Sequence, residues 1–259
     1  MNDIDPPVLS ACDERGVLTL TLNRPQAFNA LSESMMAALQ SQFDRIASDD
    51  SVSVVVLAAT GRAFCAGHDL KEIRAEPSQA GYDKLFGQCC ALMLALQRLP
   101  VPVIAKVQGV ATAAGCQLVA MCDLAVAASS ARFAVSGINL GLFCSTPSVA
   151  LSRNLGRKAA FEMLVTGDFI DAAQALQRGL VNRVAEPDAL DAAVEALVCR
   201  IVAKPRSALA LGKGLFYRQL ELGIEAAYAD AARTMACNMM DESALEGVQA
   251  FIDKRAPNW

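Results

Sequence analysis

Leu18, Leu20 and Leu22 alternate with Thr19 and Thr21, the period of a strand with one buried face, and Asn23-Arg24-Pro25 ends the pattern. From Ser32, whose hydroxyl suits an N-cap, to about Ala47, apolar Met35, Met36, Leu39, Phe43 and Ile46 recur at helical spacing, predicting an amphipathic helix. Val52 to Ala58, Val101 to Val107 and Leu124 to Ala127 are apolar runs rich in β-branched residues, the mark of strands covered on both faces. Helical stretches separate them, so the order predicts an α/β fold around a largely buried sheet. After Arg183-Val184 only the helical period is left: roughly Asp188 to Ala203, Ser207 to Leu222, Ile224 to Met240 and Ser243 to Lys254, broken at Pro205 and Gly223. This divides the chain into a core, residues 1–203, and a helical region, residues 204–259, that packs on the core or on a neighbouring subunit. No internal repeat, low-complexity linker or charge block interrupts it.

The 259 residues are 54% hydrophobic and 19% charged, with a mean hydropathy of +0.32, which leaves apolar surface for an oligomer to cover. A membrane span is the competing use of such a composition, but the longest weakly charged stretch, Val107 to Cys122, has 16 residues including two Gln, Thr and two Gly. That is too short and too polar to cross a bilayer. A net charge of −4, with no dense Lys/Arg patch, argues against nucleic acid as a partner. The nine cysteines sit mostly within apolar runs, where Cys behaves as a small hydrophobe, and are read as reduced thiols. The opening MNDIDPPVLS lacks a basic or apolar leader pattern, and a cytoplasmic protein is expected.

The chain holds no G-x-G-x-x-G, Walker A, G-x-S-x-G or paired C-x-x-C sequence, and its one histidine is His68. No metal site and no separate cofactor are expected. Two stretches invite chemistry. Arg62-Ala-Phe-Cys-Ala-Gly-His-Asp-Leu-Lys71 follows a buried strand, where α/β folds bind ligands. Val103-Ile-Ala-Lys-Val-Gln-Gly-Val-Ala-Thr-Ala-Ala-Gly-Cys-Gln-Leu-Val-Ala-Met-Cys-Asp123 reads as a strand turning through small residues directly into a helix, whose first N–H groups are free to hold an anionic oxygen. Taken alone, each is accounted for better by tight strand–helix packing than by a ligand site. Arg62 and Asp123 read as structural, and Lys71 and Arg74 as a solvated face.

Together with Leu22-Asn-Arg-Pro-Gln-Ala-Phe-Asn-Ala-Leu31, Leu176-Gln-Arg-Gly-Leu-Val-Asn-Arg-Val184 and the closing Phe251-Ile-Asp-Lys-Arg-Ala-Pro-Asn-Trp259, these stretches resemble the crotonase (enoyl-CoA hydratase/isomerase) family over nearly the whole chain. GHDLKE, ATAAGCQLVA and GLFCSTP are most similar to its subgroup called enoyl-CoA hydratase domain-containing protein 3. The resemblance implies a ββα spiral core, a C-terminal helical region used in trimerisation (homotrimer, or hexamer as a dimer of trimers), and an acyl-CoA ligand in fatty-acid metabolism. It further implies an oxyanion hole made by the backbone N–H groups of His68 and Ala114. One such donor is typically worth about 10²- to 10³-fold in rate where charge moves onto a thioester oxygen. Contacts to the coenzyme A part of the substrate are implied at Gln26, Ala27, Phe28, Ala66, His68, Asp69, Leu70, Ala114 and Lys254.

At the positions of the hydratases' two catalytic glutamates, however, this sequence has Gln117 and Gly137. A glutamine can hold a water but cannot take its proton, and glycine has no side chain. General acid–base groups typically contribute about 10²- to 10⁴-fold each, so hydratase activity should be largely lost while oxyanion binding stays. Three readings follow: another acyl-CoA reaction such as decarboxylation or thioester hydrolysis, served by His68, Asp69, Cys116, Ser136, Asn139 or Cys144; a weak hydratase using water held by Gln117; or a non-catalytic acyl-CoA binder. Phe86, Met93, Leu140, Leu142 and Phe143 are candidates to shape an acyl pocket.

Overall fold

The computed structural model describes residues 6–75 and 77–259; residues 1–5, half of the stretch on which the absence of a leader was argued, lie outside them. The chain opens with antiparallel β1 (Val8–Cys12) and β2 (Val17–Leu22), followed by helix α1 (Glu33–Ile46), capped by the Ser32 hydroxyl accepting from the Met35 N–H. It then makes repeated turns of one plan. Strand β3 (Val54–Ala59) is followed by β4 (Ala63–Cys65) and helices α2 (Leu70–Ala75) and α3 (Gln79–Arg98). Strand β5 (Val103–Val107) is followed by β6 (Val110–Thr112) and α4 (Ala114–Met121). Strand β7 (Leu124–Ala128) is followed by β8 (Arg132–Ala134), then α5 (Ser145–Asn154) and α6 (Arg157–Thr166). After β9 (Ile170–Asp171) and α7 (Ala172–Arg178), β10 (Arg183–Ala185) closes the larger sheet, and α8 (Leu190–Val202), α9 (Arg206–Gln219), α10 (Ile224–Asn238) and α11 (Glu242–Ile252) complete the chain.

The first strand of each turn enters a six-stranded sheet, β1-β2-β3-β5-β7-β10, and the second a four-stranded sheet, β4-β6-β8-β9. This is the expected ββα spiral. Its central strands pair in parallel, and the period of two sorts their side chains to two faces. Val55, Leu57, Val103, Ala105, Ala125 and Ala127 face the main core with α1 and α3, while Val54, Val56, Ile104, Val126 and Ala128 meet Leu190, Val194 and Val198 of α8. Both faces are covered, which is why these strands read as unbroken apolar runs.

Several expectations are corrected. The Val103 strand does not turn directly into a helix, because β6 intervenes; three residues are too few to display a period. Strand β1, an exposed edge with only Val8 buried, carries no alternation that could have announced it. Residues 187–189 form a 3-10 turn ahead of α8, and α9, α10 and α11 stop two or three residues short of the predicted ends, the usual uncertainty at helix termini. Cys90, Cys199 and Cys237 are exposed, whereas Cys65, Cys89, Cys116, Cys122 and Cys144 are buried. Among the described residues, no helix is long and apolar enough to cross a membrane, and no cluster of metal-ligating side chains occurs.

Helices α9, α10 and α11 bury few residues, and polar contacts tie α9 to the core. Lys213 Nζ donates to Asp123 Oδ2 at 2.7 Å and to the Val101 carbonyl at 2.9 Å, and Tyr217 Oη donates to Asp123 Oδ1 at 2.7 Å. Asp123 also accepts from the Val103 N–H at 2.7 Å, in keeping with its structural reading.

Candidate active site

The loop after β4 is laid against residues 24–31. Asn29, fully buried and at a positive φ of 54°, accepts from the Arg24 N–H and donates to the Thr60 and Ala63 carbonyls at 2.8 and 2.9 Å. The Phe28 carbonyl accepts from the Ala66 N–H at 3.0 Å, and Leu31 bridges the loop by donating to the Gly67 carbonyl and accepting from the Asp69 N–H. In such a parallel bridge the groups on either side of His68 are engaged, so its own N–H points away from Leu31. The second donor lies at the start of α4. Ala113 caps that helix at φ 51°, ψ −121°, a strained conformation for a residue with a Cβ, and Ala114 offers a first-turn N–H that has no partner within the helix. Among the described residues, neither the His68 nor the Ala114 N–H donates to a backbone oxygen.

Close backbone approach brings the two donors together. A Cβ at Gly67 would lie 3.3 Å from the Ala114 nitrogen, and one at Gly115 would collide with the Cys65 carbonyl, so α4 can begin against the end of β4 only because residue 115 lacks a side chain.

His68 and Ala114 border a cavity of about 330 Å³, lined also by Leu70, Ile73 and Phe86 and by Ser136, Gly137, Leu140 and the stretch from Leu142 to Pro147. Among the described residues, no carboxylate lines it. The His68 ring meets Phe86 edge-on at 5.5 Å, and both its nitrogens are buried without a hydrogen-bond partner among the described residues. Burial holds the imidazole below its ordinary pKa, an effect that the nearby Leu31 carbonyl opposes without making a well-formed hydrogen bond. Gln117, one helical turn after Ala114, is only 4% exposed; its Oε1 is buried and unpartnered, and the residue lies behind the lining rather than in it. At Gly137 a Cβ would stand 2.7 Å from both Cys144 Sγ and the Leu142 carbonyl oxygen, so that position is filled from outside. Burial pushes the Cys144 thiol pKa up, and the Gly137 N–H opposes that shift.

Of the residues singled out in the sequence, Ala66, His68, Leu70, Ala114, Ser136, Gly137 and Cys144 line this cavity, as do Phe86, Leu140, Leu142 and Phe143. Gln26 and Ala27 form a 3-10 turn on the neighbouring loop, where the Phe28 ring lies 4.6 Å from the Arg62 guanidinium carbon. Asp69 pairs with Arg24 at 3.2 Å and accepts from the Lys71 N–H at 3.1 Å. Cys116 is buried with its thiol pushed up to about 12, Met93 is in the core, and Asn139 packs beside Gly167; none of them lines the cavity. Lys254 follows α11 at φ 55° and is not among the lining residues. Ala113, Ile73, Ser145, Thr146 and Pro147 were missed as contributors. The strain at Ala113 in particular has no sequence signal, since alanine does not mark a positive φ.

The family model described as Enoyl-CoA hydratase/isomerase matches residues 13–259. The chain is 44% identical over 253 residues to the Xenopus laevis protein named Enoyl-CoA hydratase domain-containing protein 3, mitochondrial, covering 98% of this chain and 86% of that protein. A crystal structure of the human protein of that name superimposes with a TM-score of 0.94 at 40% identity, covering 98% of this chain and 100% of the other. A crystal structure described as an enoyl-CoA hydratase from Mycobacterium smegmatis does so with a TM-score of 0.98 at 70% identity, covering 98% and 99%. The subgroup resemblance is thus supported, but the cytoplasmic expectation is overturned: the Xenopus, rat and human relatives carry the word mitochondrial in their names, and the absence of a leader pattern in ten residues was too thin a basis for a compartment. With a matching family model from Asp13 to the last residue and a spiral that superimposes on solved members, the chain belongs to the crotonase, or enoyl-CoA hydratase/isomerase, family.

Proposed function

We propose that this chain binds an acyl-CoA thioester in the cavity between β4, α3, α4 and α5, its carbonyl oxygen accepting from the His68 and Ala114 N–H groups. The observation that carries the reading is the pair of unengaged N–H groups at the cavity wall, one of them on a helix whose cap is strained. Such preorganised donors lower the cost of placing charge on a thioester oxygen, the step common to enolate chemistry. The coenzyme A portion, part of the substrate rather than a separate cofactor, would run over Gln26, Ala27, Phe28, Ala66, Asp69 and Leu70. Lys254 is the basic residue assigned to it from the C-terminal region.

Hydration in the manner of a paired-glutamate hydratase is not part of this function. Gln117 cannot act as a base, and residue 137 has no room for one. The chain is therefore a thioester-polarising member of its family, acting either as a binder or in a different CoA-thioester reaction such as decarboxylation or hydrolysis. His68 favours the latter, since it is the basic side chain in the lining. Residues 204–259 serve assembly into a homotrimer or hexamer, which supplies cover for the apolar side chains on α9, α10 and α11.

The test is a crotonyl-CoA turnover assay run with calorimetry of acetyl-CoA and crotonyl-CoA on one preparation. Binding with hydration no faster than buffer is the expected result. No binding at millimolar ester would remove the proposal. Hydration that survives Gln117→Ala but falls in a His68 variant would move proton transfer to His68.

A further inference from the structure

We infer that the acyl group this chain accepts is a neutral aliphatic one of roughly four to eight carbons, and that acyl groups carrying a carboxylate are rejected. The inference deepens the reading above and rests on it, because the thioester must first seat its oxygen on His68 and Ala114. Its basis is the wall of the cavity. Phe86 and Pro147 line the cavity together with Leu70, Leu140, Leu142 and Phe143, and the last four are exposed, so apolar surface runs from the wall out to solvent. The polar side chains in the wall are uncharged, and two already have partners: Ser136 Oγ lies 2.9 Å from Thr112 Oγ1, and Ser145 Oγ donates to the Phe143 carbonyl at 3.3 Å. Among the described residues, no lysine or arginine lines the cavity. Arg24, on the neighbouring loop, is engaged by Asp69, and Lys71 and Arg74 are exposed on α2, outside the lining. Burial holds the His68 imidazole below its ordinary pKa, so the ring is uncharged at neutral pH.

Size and charge then select the acyl group. A methylene moved from water into apolar surroundings strengthens binding about fourfold, so affinity rises with chain length while the cavity has room. An apolar cavity of about 150 Å³ holds one benzene molecule, so one of about 330 Å³ has room for roughly a dozen non-hydrogen atoms, the thioester group included. A longer chain must leave over the rim, where each added methylene is only partly taken from water. A carboxylate against this wall loses its water and gains no cation, the arrangement that makes an unpaired buried charge costly. An acyl group without a carboxylate has no carbon dioxide to release. Of the reactions named above, thioester hydrolysis is therefore retained and decarboxylation is set aside.

The experiment is isothermal titration calorimetry of the full chain at neutral pH with acetyl-, butyryl-, hexanoyl-, octanoyl- and dodecanoyl-CoA. Isovaleryl- and malonyl-CoA are added as a pair of nearly equal shape that differs in charge. The expected result is an affinity that rises about fourfold per methylene from acetyl- to hexanoyl-CoA and levels off beyond octanoyl-CoA. From isovaleryl- to malonyl-CoA it should fall at least about 100-fold. The heat-capacity change should grow more negative along the rising part and then level, since it tracks apolar surface removed from water. Malonyl-CoA bound within about tenfold of isovaleryl-CoA would overturn the inference and leave thioester binding standing. So would an affinity that is flat from acetyl- to octanoyl-CoA, or one that climbs undiminished to dodecanoyl-CoA. Absence of binding by every ester overturns the two readings together.

Discussion

At residue 137 the decisive quantity is space. A Cβ there would meet Cys144 Sγ and the Leu142 carbonyl at 2.7 Å, and overpacking of this kind typically costs about 1–3 kcal/mol. Gly137→Glu should therefore lower the melting temperature without bringing hydration of crotonyl-CoA; a stable variant that hydrates would show that the 141–144 stretch yields easily. His68 allows a second test, because it is the only histidine in the chain. Its folded pKa is held below the usual 6.5 by burial, so as pH falls through that value the unfolded chain takes up a proton that the folded chain resists. Stability should be full above about pH 6.5, decline as pH drops toward the folded pKa, and level off below it, where both states carry the proton. Melting curves from about pH 7.5 to about pH 5.5 should show a slope that disappears in His68→Gln, and a flat wild-type profile would refute it.

Among the elements, α4 depends on backbone contact and α9 on a charged latch. Gly115→Ala would push a methyl group into the Cys65 carbonyl, so it should separate β4 from the start of α4 and weaken acyl-CoA binding more than it changes helix content; calorimetry beside circular dichroism would tell. At the other end of α4, Lys213 and Tyr217 converge on Asp123, and the Lys213 side chain is 7% exposed. Removing one partner of a buried ion pair leaves an uncompensated charge, typically costing about 3–5 kcal/mol. Lys213→Met should thus show a large loss in chemical denaturation, with Tyr217→Phe losing less; a neutral Lys213→Met would mean that α9 is held by something else. The helices and buried strands were legible along the chain because their apolar periods are long: α1 matches its predicted face residue by residue, and the runs at Val52, Val101 and Leu124 became β3, β5 and β7. The second strands were not, since β4, β6 and β8 have three residues each and are defined by their partners rather than by a pattern.

For the whole molecule, the open question is how α9, α10 and α11 are covered. Phe251 is 85% exposed, Met240 77% and Tyr228 72%, so a large apolar area faces outward. Light scattering after gel filtration should give the mass of a trimer or hexamer, and Phe251→Asp should shift it downward; a wild-type monomer would contradict the assembly. Family and spiral plan could be read from residue identities in order, as could Gln117 and Gly137 standing where the resemblance places the hydratase glutamates, because motifs and apolar periods are local properties of the chain. That Gly137 has no room for a carboxylate, that Cys144 lines the cavity while Cys116 does not, and that Ala113 carries the strain beside the Ala114 N–H were decided only in the fold. These depend on how segments far apart in the chain pack against one another, and no local pattern encodes a distance between them.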